Sequence, residues 1–99
     1  MTVTWTHPAM RSLKRHYDYR KSNSGTDAAR KFRKSLFDAT SRLRNFPRLG
    51  KEEKSIVYKD KEYRSLIEGV YKIIYRIEGM EIFIIEVFDT RQDQDKLIF

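Results

Sequence analysis

Hydrophobic and polar positions change rhythm twice along the chain. Thr2-Val3-Thr4-Trp5-Thr6 alternates β-branched and aromatic residues with short polar ones, the pattern of a brief strand. Pro8 suits the first turn of a helix, where its missing N–H costs nothing. Ala9, Met10, Leu13 and Tyr17 then recur at three- and four-residue steps and share one helical face, while Arg11, Lys14, Arg15 and Lys21 project elsewhere. Ser22-Asn23-Ser24-Gly25 reads as a turn, and Thr26 as the cap of a second helix. That helix carries Ala28, Ala29, Phe32, Leu36, Ala39, Leu43 and Phe46 at helical spacing until Pro47 ends it. Helices joined by so short a connection fold back as an antiparallel hairpin.

From Arg48 to Lys61 charge is dense, and only Ile56-Val57-Tyr58 suggests a short strand within a loop. The rhythm then becomes that of β-structure. Residues 62–68, 70–77 and 80–88 are dominated by isoleucine, valine, tyrosine and phenylalanine, and Glu68-Gly69 and Glu78-Gly79 break them into a three-stranded antiparallel meander. With Glu78-Gly79 as a two-residue turn, Ile77 faces Met80, Tyr75 faces Ile82 and Ile73 faces Ile84. The other side then pairs Arg76 with Glu81 and Ile74 with Phe83. One face is far more apolar, and the helical hairpin is the element with a stripe to cover it. The expected fold class is α+β: a single domain over residues 1–99, in two layers of order β-α-α-β-β-β, with an antiparallel sheet beneath an antiparallel helical hairpin and the first strand joining the sheet.

Composition narrows the function classes. The 99 residues combine 39% hydrophobic with 35% charged positions, and no run approaches the ~18 apolar residues of a spanning helix, so a cytoplasmic protein without membrane association is expected. The absence of cysteine excludes disulfides, thiolate metal sites and a cysteine nucleophile. The net charge of +7 is unevenly placed. Residues 1–54 hold 14 Lys and Arg against 5 Asp and Glu, whereas residues 55–99 hold 7 against 9. The basic half is where an acidic protein or a nucleic acid would dock first, although solvated helix faces carry the same residues as a matter of course.

Little conventional chemistry is available. His7 and His16 lie nine apart with no ligand-spaced acidic cluster, so no metal is expected; the four glycines fall at turns or loops rather than in a phosphate loop, and no cofactor is implied. His16 reads as half-buried or exposed packing rather than a base. The remaining candidates are cations. Arg64 and Lys72 lie on adjacent strands and Arg91 follows the last, so a sheet edge could gather all three around a phosphate and stabilise charge as a 2′-hydroxyl attacks. One residue of slippage at Glu68-Gly69 would turn Arg64 to the other side. The plain alternative pairs Arg76 with Glu81, leaves Lys72 on the surface and anchors Arg91 through Asp89 or Asp93.

Several segments carry a family likeness: Trp5 after the first strand, Ala9 and Leu13, Ala28-Ala29, and Phe46-Pro47-Arg48-Leu49-Gly50. The fullest are Tyr63-Arg64-Ser65-Leu66, Gly69-Val70-Tyr71-Lys72-Ile73-Ile74-Tyr75-Arg76-Ile77 and Ile85-Glu86-Val87-Phe88-Asp89-Thr90-Arg91-Gln92. Taken in order, these resemble the RelE/ParE superfamily of toxins from type II toxin-antitoxin modules, the plasmid-stabilisation proteins. The resemblance implies a toxin neutralised by a cognate acidic antitoxin in a hetero-oligomer, with Tyr75, Arg76 and Phe88 as partner-binding candidates. It implies one of two targets: DNA gyrase in ParE-like members, or the ribosome and its mRNA in RelE-like members. In the latter case Arg64, Lys72 and Arg91 match the catalytic cations. A tyrosine that RelE-like toxins carry after the final arginine is missing here, where Gln92-Asp93-Gln94-Asp95 follows Arg91, and this favours the ParE-like subgroup. A degenerate, non-toxic antitoxin-binding module is the third expectation.

Overall fold

The computed structural model describes residues 1–56 and 61–91. Its elements are β1 (Thr2–Trp5), α1 (His7–Ser24), α2 (Thr26–Ser41), a 3-10 turn (Arg42–Arg44), β2 (Lys51–Glu52), β3 (Glu62–Glu68), β4 (Tyr71–Glu78) and β5 (Glu81–Asp89). This is the expected α+β order with one strand more. The tripeptide Ile56-Val57-Tyr58 was expected as a strand, but Val57 and Tyr58 lie outside the described residues; among the described residues of this loop, Lys51–Glu52 form the short strand β2.

The helices begin and end for local reasons. The Thr6 hydroxyl caps α1 by accepting from the Ala9 N–H at 3.3 Å and donates to the Ile84 carbonyl at 2.7 Å, tying the helix start to the sheet. Helix α1 runs through Ser22-Asn23-Ser24, so the expected four-residue turn collapses to Gly25 alone. Its φ of 91° lies in the region that favours glycine, and its N–H bonds the Lys21 carbonyl. Thr26 is consequently the first residue of α2 rather than its cap, and no side chain caps that helix.

The sheet order is β1-β5-β4-β3-β2. It is mixed rather than wholly antiparallel, because β1 runs parallel to β5, Val3 opposite Ile82 and Trp5 opposite Ile84. The meander is present with its register displaced by two residues: Glu78 pairs with Glu81 and Ile77 with Ile82, so the turn is Gly79-Met80. Gly79 is the first turn residue, with φ of 57°, and Gly69 occupies the equivalent place before Val70 with φ of 60°. Two-residue hairpins of the primed types accept glycine there, and this selects the register. Displacement by an even number keeps the side chains between the turn and Tyr75 on their expected faces. A bulge opposite the Ile74/Tyr75 step then lets Ile84 and Val87 both face the helices.

The core lies between the layers. Ala9 and Leu13 of α1, with Phe32, Leu36, Ala39 and Leu43, meet Tyr71, Ile73, Tyr75, Ile77, Ile82, Ile84 and Val87. Each large aliphatic residue contributes about 1.5–3 kcal/mol by leaving water. The apolar stripe ends at Leu43: the second helix was expected to run to Pro47, but α2 stops at Ser41 and the 3-10 turn at Arg44. Phe46 therefore lies beyond the helix and is exposed, as is Met10, which falls off the face of α1 turned to the sheet. A smaller cluster of Tyr63, Ile74 and Phe88, with Ile56 and Ile85, sits on the sheet's outer face. Among the described residues no helix is long and apolar enough to cross a membrane.

Candidate functional site

Strand register decides whether the three candidate cations meet. Arg64 pairs with Tyr75, a core residue, and therefore sits on the helix side of the sheet; Lys72 pairs with Ile67 and Phe88 and sits on the outer side. Each has its own carboxylate. Arg64 Nε donates to Glu62 at 2.6 Å, and its NH1 donates to the Gly50 carbonyl at 2.7 Å. Arg48 grips the same Glu62 through two nitrogens, at 2.9 and 3.1 Å. Lys72 Nζ lies 3.0 Å from Glu53, which also accepts the Ser65 hydroxyl at 2.6 Å. Arg91 folds back on Asp89, which accepts both its backbone N–H at 2.9 Å and its guanidinium at 3.3 Å. The trio is thus distributed over two faces and the end of β5.

These pairings set the protonation of the acids. The hydrogen bond from Arg64 holds the Glu62 carboxyl below its usual range against a smaller opposing effect of burial, with Arg48 adding to the depression. Burial pushes Glu53 upward, but Ser65 and the Lys72 ammonium outweigh it and leave the carboxyl low. Asp89 follows the same pattern, its burial overcome by the side-chain and backbone hydrogen bonds from Arg91. All three acids are therefore held as anions that neutralise the nearby cations.

The candidates for partner contact divide by face. Tyr75 is fully buried on the helix side, a correction to its expected role at the surface. Its hydroxyl donates to the Pro47 carbonyl at 2.8 Å and accepts the Gly50 N–H at 2.9 Å, so it braces the loop behind α2; burial raises its pKa. Arg76 and Phe88 share the outer face. Arg76 stacks over the Phe83 ring at 5.0 Å and donates to Glu78 at 2.7 Å, rather than to Glu81 as the other register would have it, and Lys61 pairs with the same Glu78. Asp93, the alternative anchor for Arg91, lies outside the described residues.

Several residues with a part in these networks were not evident from sequence. His16 is buried, and its Nε2–H donates to the Val87 carbonyl at 3.0 Å while its ring meets Tyr71 edge-on. Glu53 and Glu62 look like ordinary loop and strand charges until the fold brings Lys72, Arg48 and Arg64 to them. Among the described residues no group of His, Asp or Glu is arranged to hold a metal ion.

A hairpin of helices roofing a five-stranded mixed sheet, with a basic helical layer and a carboxylate-neutralised outer face, defines a small two-layer α+β protein. The family model for the ParE toxin of type II toxin-antitoxin systems, parDE, matches residues 3–94, and the chain belongs to that family. Among solved structures it is similar to a chain of the chromosomal ParDE toxin-antitoxin system from P. aeruginosa. The two are 20% identical, with 90% of this chain and 95% of that one covered at a TM-score of 0.71, a likeness of fold. No curated protein matches the sequence.

Proposed function

We propose that this chain is a growth-inhibiting toxin that acts by poisoning DNA gyrase, and that a cognate acidic antitoxin silences it in a hetero-oligomer. One observation carries the choice of target. Cleavage of mRNA by cationic side chains needs them to converge on one phosphate, and here Arg64 and Lys72 stand on opposite faces, each neutralised by a carboxylate. Membership of the ParE family supports the same direction. The antitoxin would lie on the outer face, which carries Arg76 towards one end and exposed Ile67 towards the other, with Phe88 buried beneath; its acidic segment would exchange partners with Arg76 and cover Ile67 as it orders. The expected compartment is the cytoplasm, where gyrase works.

The test is a supercoiling assay with purified gyrase. Excess toxin should block supercoiling and accumulate cleaved DNA held by the enzyme, and addition of the antitoxin should reverse both. Unchanged supercoiling at toxin excess removes the gyrase reading.

A further inference from the structure

Away from the sheet networks, Arg20 of α1, Lys31 of α2 and Arg91 after β5 converge on a cleft of about 490 Å³ beside the β3–β4 turn. Arg20 is held there by neutral groups. Its guanidinium donates to the Tyr71 hydroxyl at 2.8 Å and lies 5.9 and 5.7 Å from the centroids of the Phe32 and Tyr71 rings. Among the described residues no carboxylate forms an ion pair with Arg20 or with Lys31, and a guanidinium has five N–H donors, so most of Arg20's capacity is unspent. Arg91 stands at the mouth, its side chain 60% exposed though paired with Asp89. Among the described residues the one acid lining the cleft, Glu68, lies 3.7 Å from Arg42.

We infer that this cleft binds a phosphate group, presented by a free nucleotide or by a nucleic-acid strand. Three cations from three separate elements surround the space; Asp89 already holds Arg91 and Glu68 lies by Arg42, so Arg20 and Lys31 bring the charge that no described carboxylate matches, suited to the several oxygens of a phosphate. The pinned arginine supplies geometry without side-chain ordering on binding, and the exposed lysine and arginine supply attraction from outside. The inference is independent of the gyrase reading and holds whichever target the toxin meets.

The test is an amide NMR titration of the full chain with inorganic phosphate, a nucleoside 5′-monophosphate, its unphosphorylated nucleoside, a short single-stranded oligonucleotide and a glutamate-rich peptide. Saturable shifts at Lys31, Ser35, Gly69 and Val70 are expected with the phosphate-bearing probes. Lys31→Glu, at an exposed position that leaves the fold intact, should weaken them about tenfold. Lys14→Glu on the far part of α1 should change them by no more than about twofold. Tighter binding of the mononucleotide identifies a nucleotide site, and tighter, steeply salt-dependent binding of the oligonucleotide identifies a strand site; both support the inference. Absence of saturation, equal binding of the nucleoside, preference for the acidic peptide, or an equal loss in Lys14→Glu would overturn it.

Discussion

Replacement of Arg64 by alanine separates a structural cation from a catalytic one. Its side chain is only 16% exposed and makes two short charge-assisted hydrogen bonds, to Glu62 at 2.6 Å and to the carbonyl of buried Gly50 at 2.7 Å. Hydrogen bonds to a charged group contribute about 1.5–3 kcal/mol each. Glu62 keeps Arg48 after the substitution, so its share falls to the low end, near the value of a surface pair. The carbonyl of Gly50 loses its guanidinium donor. The sum is about 2–3 kcal/mol, which for a domain of this size lowers Tm by roughly 8–24 °C. Urea titration should show a lower midpoint at an unchanged slope, and Arg64→Lys should recover part of the loss by restoring charge without the forked geometry. A variant with the wild-type midpoint that has nonetheless lost toxicity would refute this reasoning and return Arg64 to the reacting site.

Three further outcomes follow, two of them from the same corner of the fold. Tyr75→Phe removes the acceptor of the Gly50 N–H and the donor to Pro47, and should cost about 1–3 kcal/mol in urea titration without altering helix content by circular dichroism. Gly50→Ala should be at least as damaging, at about 3 kcal/mol, because a Cβ there would stand 2.4 Å from the Ser65 carbonyl oxygen and 2.8 Å from the Tyr75 ring; a yield of folded protein and a midpoint equal to wild type would contradict it. Glu62, Glu53 and Asp89 are all held below their ordinary values, so the folded state binds fewer protons than the unfolded one as these groups titrate. Their contribution is complete above the unfolded glutamate value of 4.5 and is lost as pH falls through the lower folded values. Urea midpoints should therefore drop below pH 4.5, and less steeply in Glu62→Gln than in wild type.

Much of this arrangement was legible in the order of residues, and the misses have identifiable causes. The stripes through Ala9 and Leu13, and through Phe32, Leu36, Ala39 and Leu43, announced both helices and the face they bury, because helical spacing survives small errors at the ends. The end of α1 was misjudged. Ser22, Asn23 and Ser24 have turn chemistry, yet helix packing carries them to Gly25, where a positive φ makes the break. The β4–β5 register near the turn was off by two because the glycine can stand first or second in such a turn, and the faces survived that shift only as far as the bulge, beyond which Val87 turns to the helices and Phe88 to the outer side. Arg64 and Lys72 teach a sharper lesson. In a hairpin with a two-residue turn, paired positions differ in parity, so two even-numbered residues of β3 and β4 must lie on opposite faces once the turn is known. The direction of β1 was beyond reach, since an alternating strand of four residues pairs equally well either way. The partners of Lys72 and Tyr75 come from the Pro47–Glu53 loop, whose path no periodicity encodes.

The most direct test of a non-nucleolytic toxin is primer extension on mRNA from a reconstituted translation reaction containing the purified chain. Message of full length, with translation undiminished at concentrations that block supercoiling, is the expected result. Discrete toxin-dependent cuts at the ribosome, abolished by Arg91→Ala in a folded variant, would contradict it.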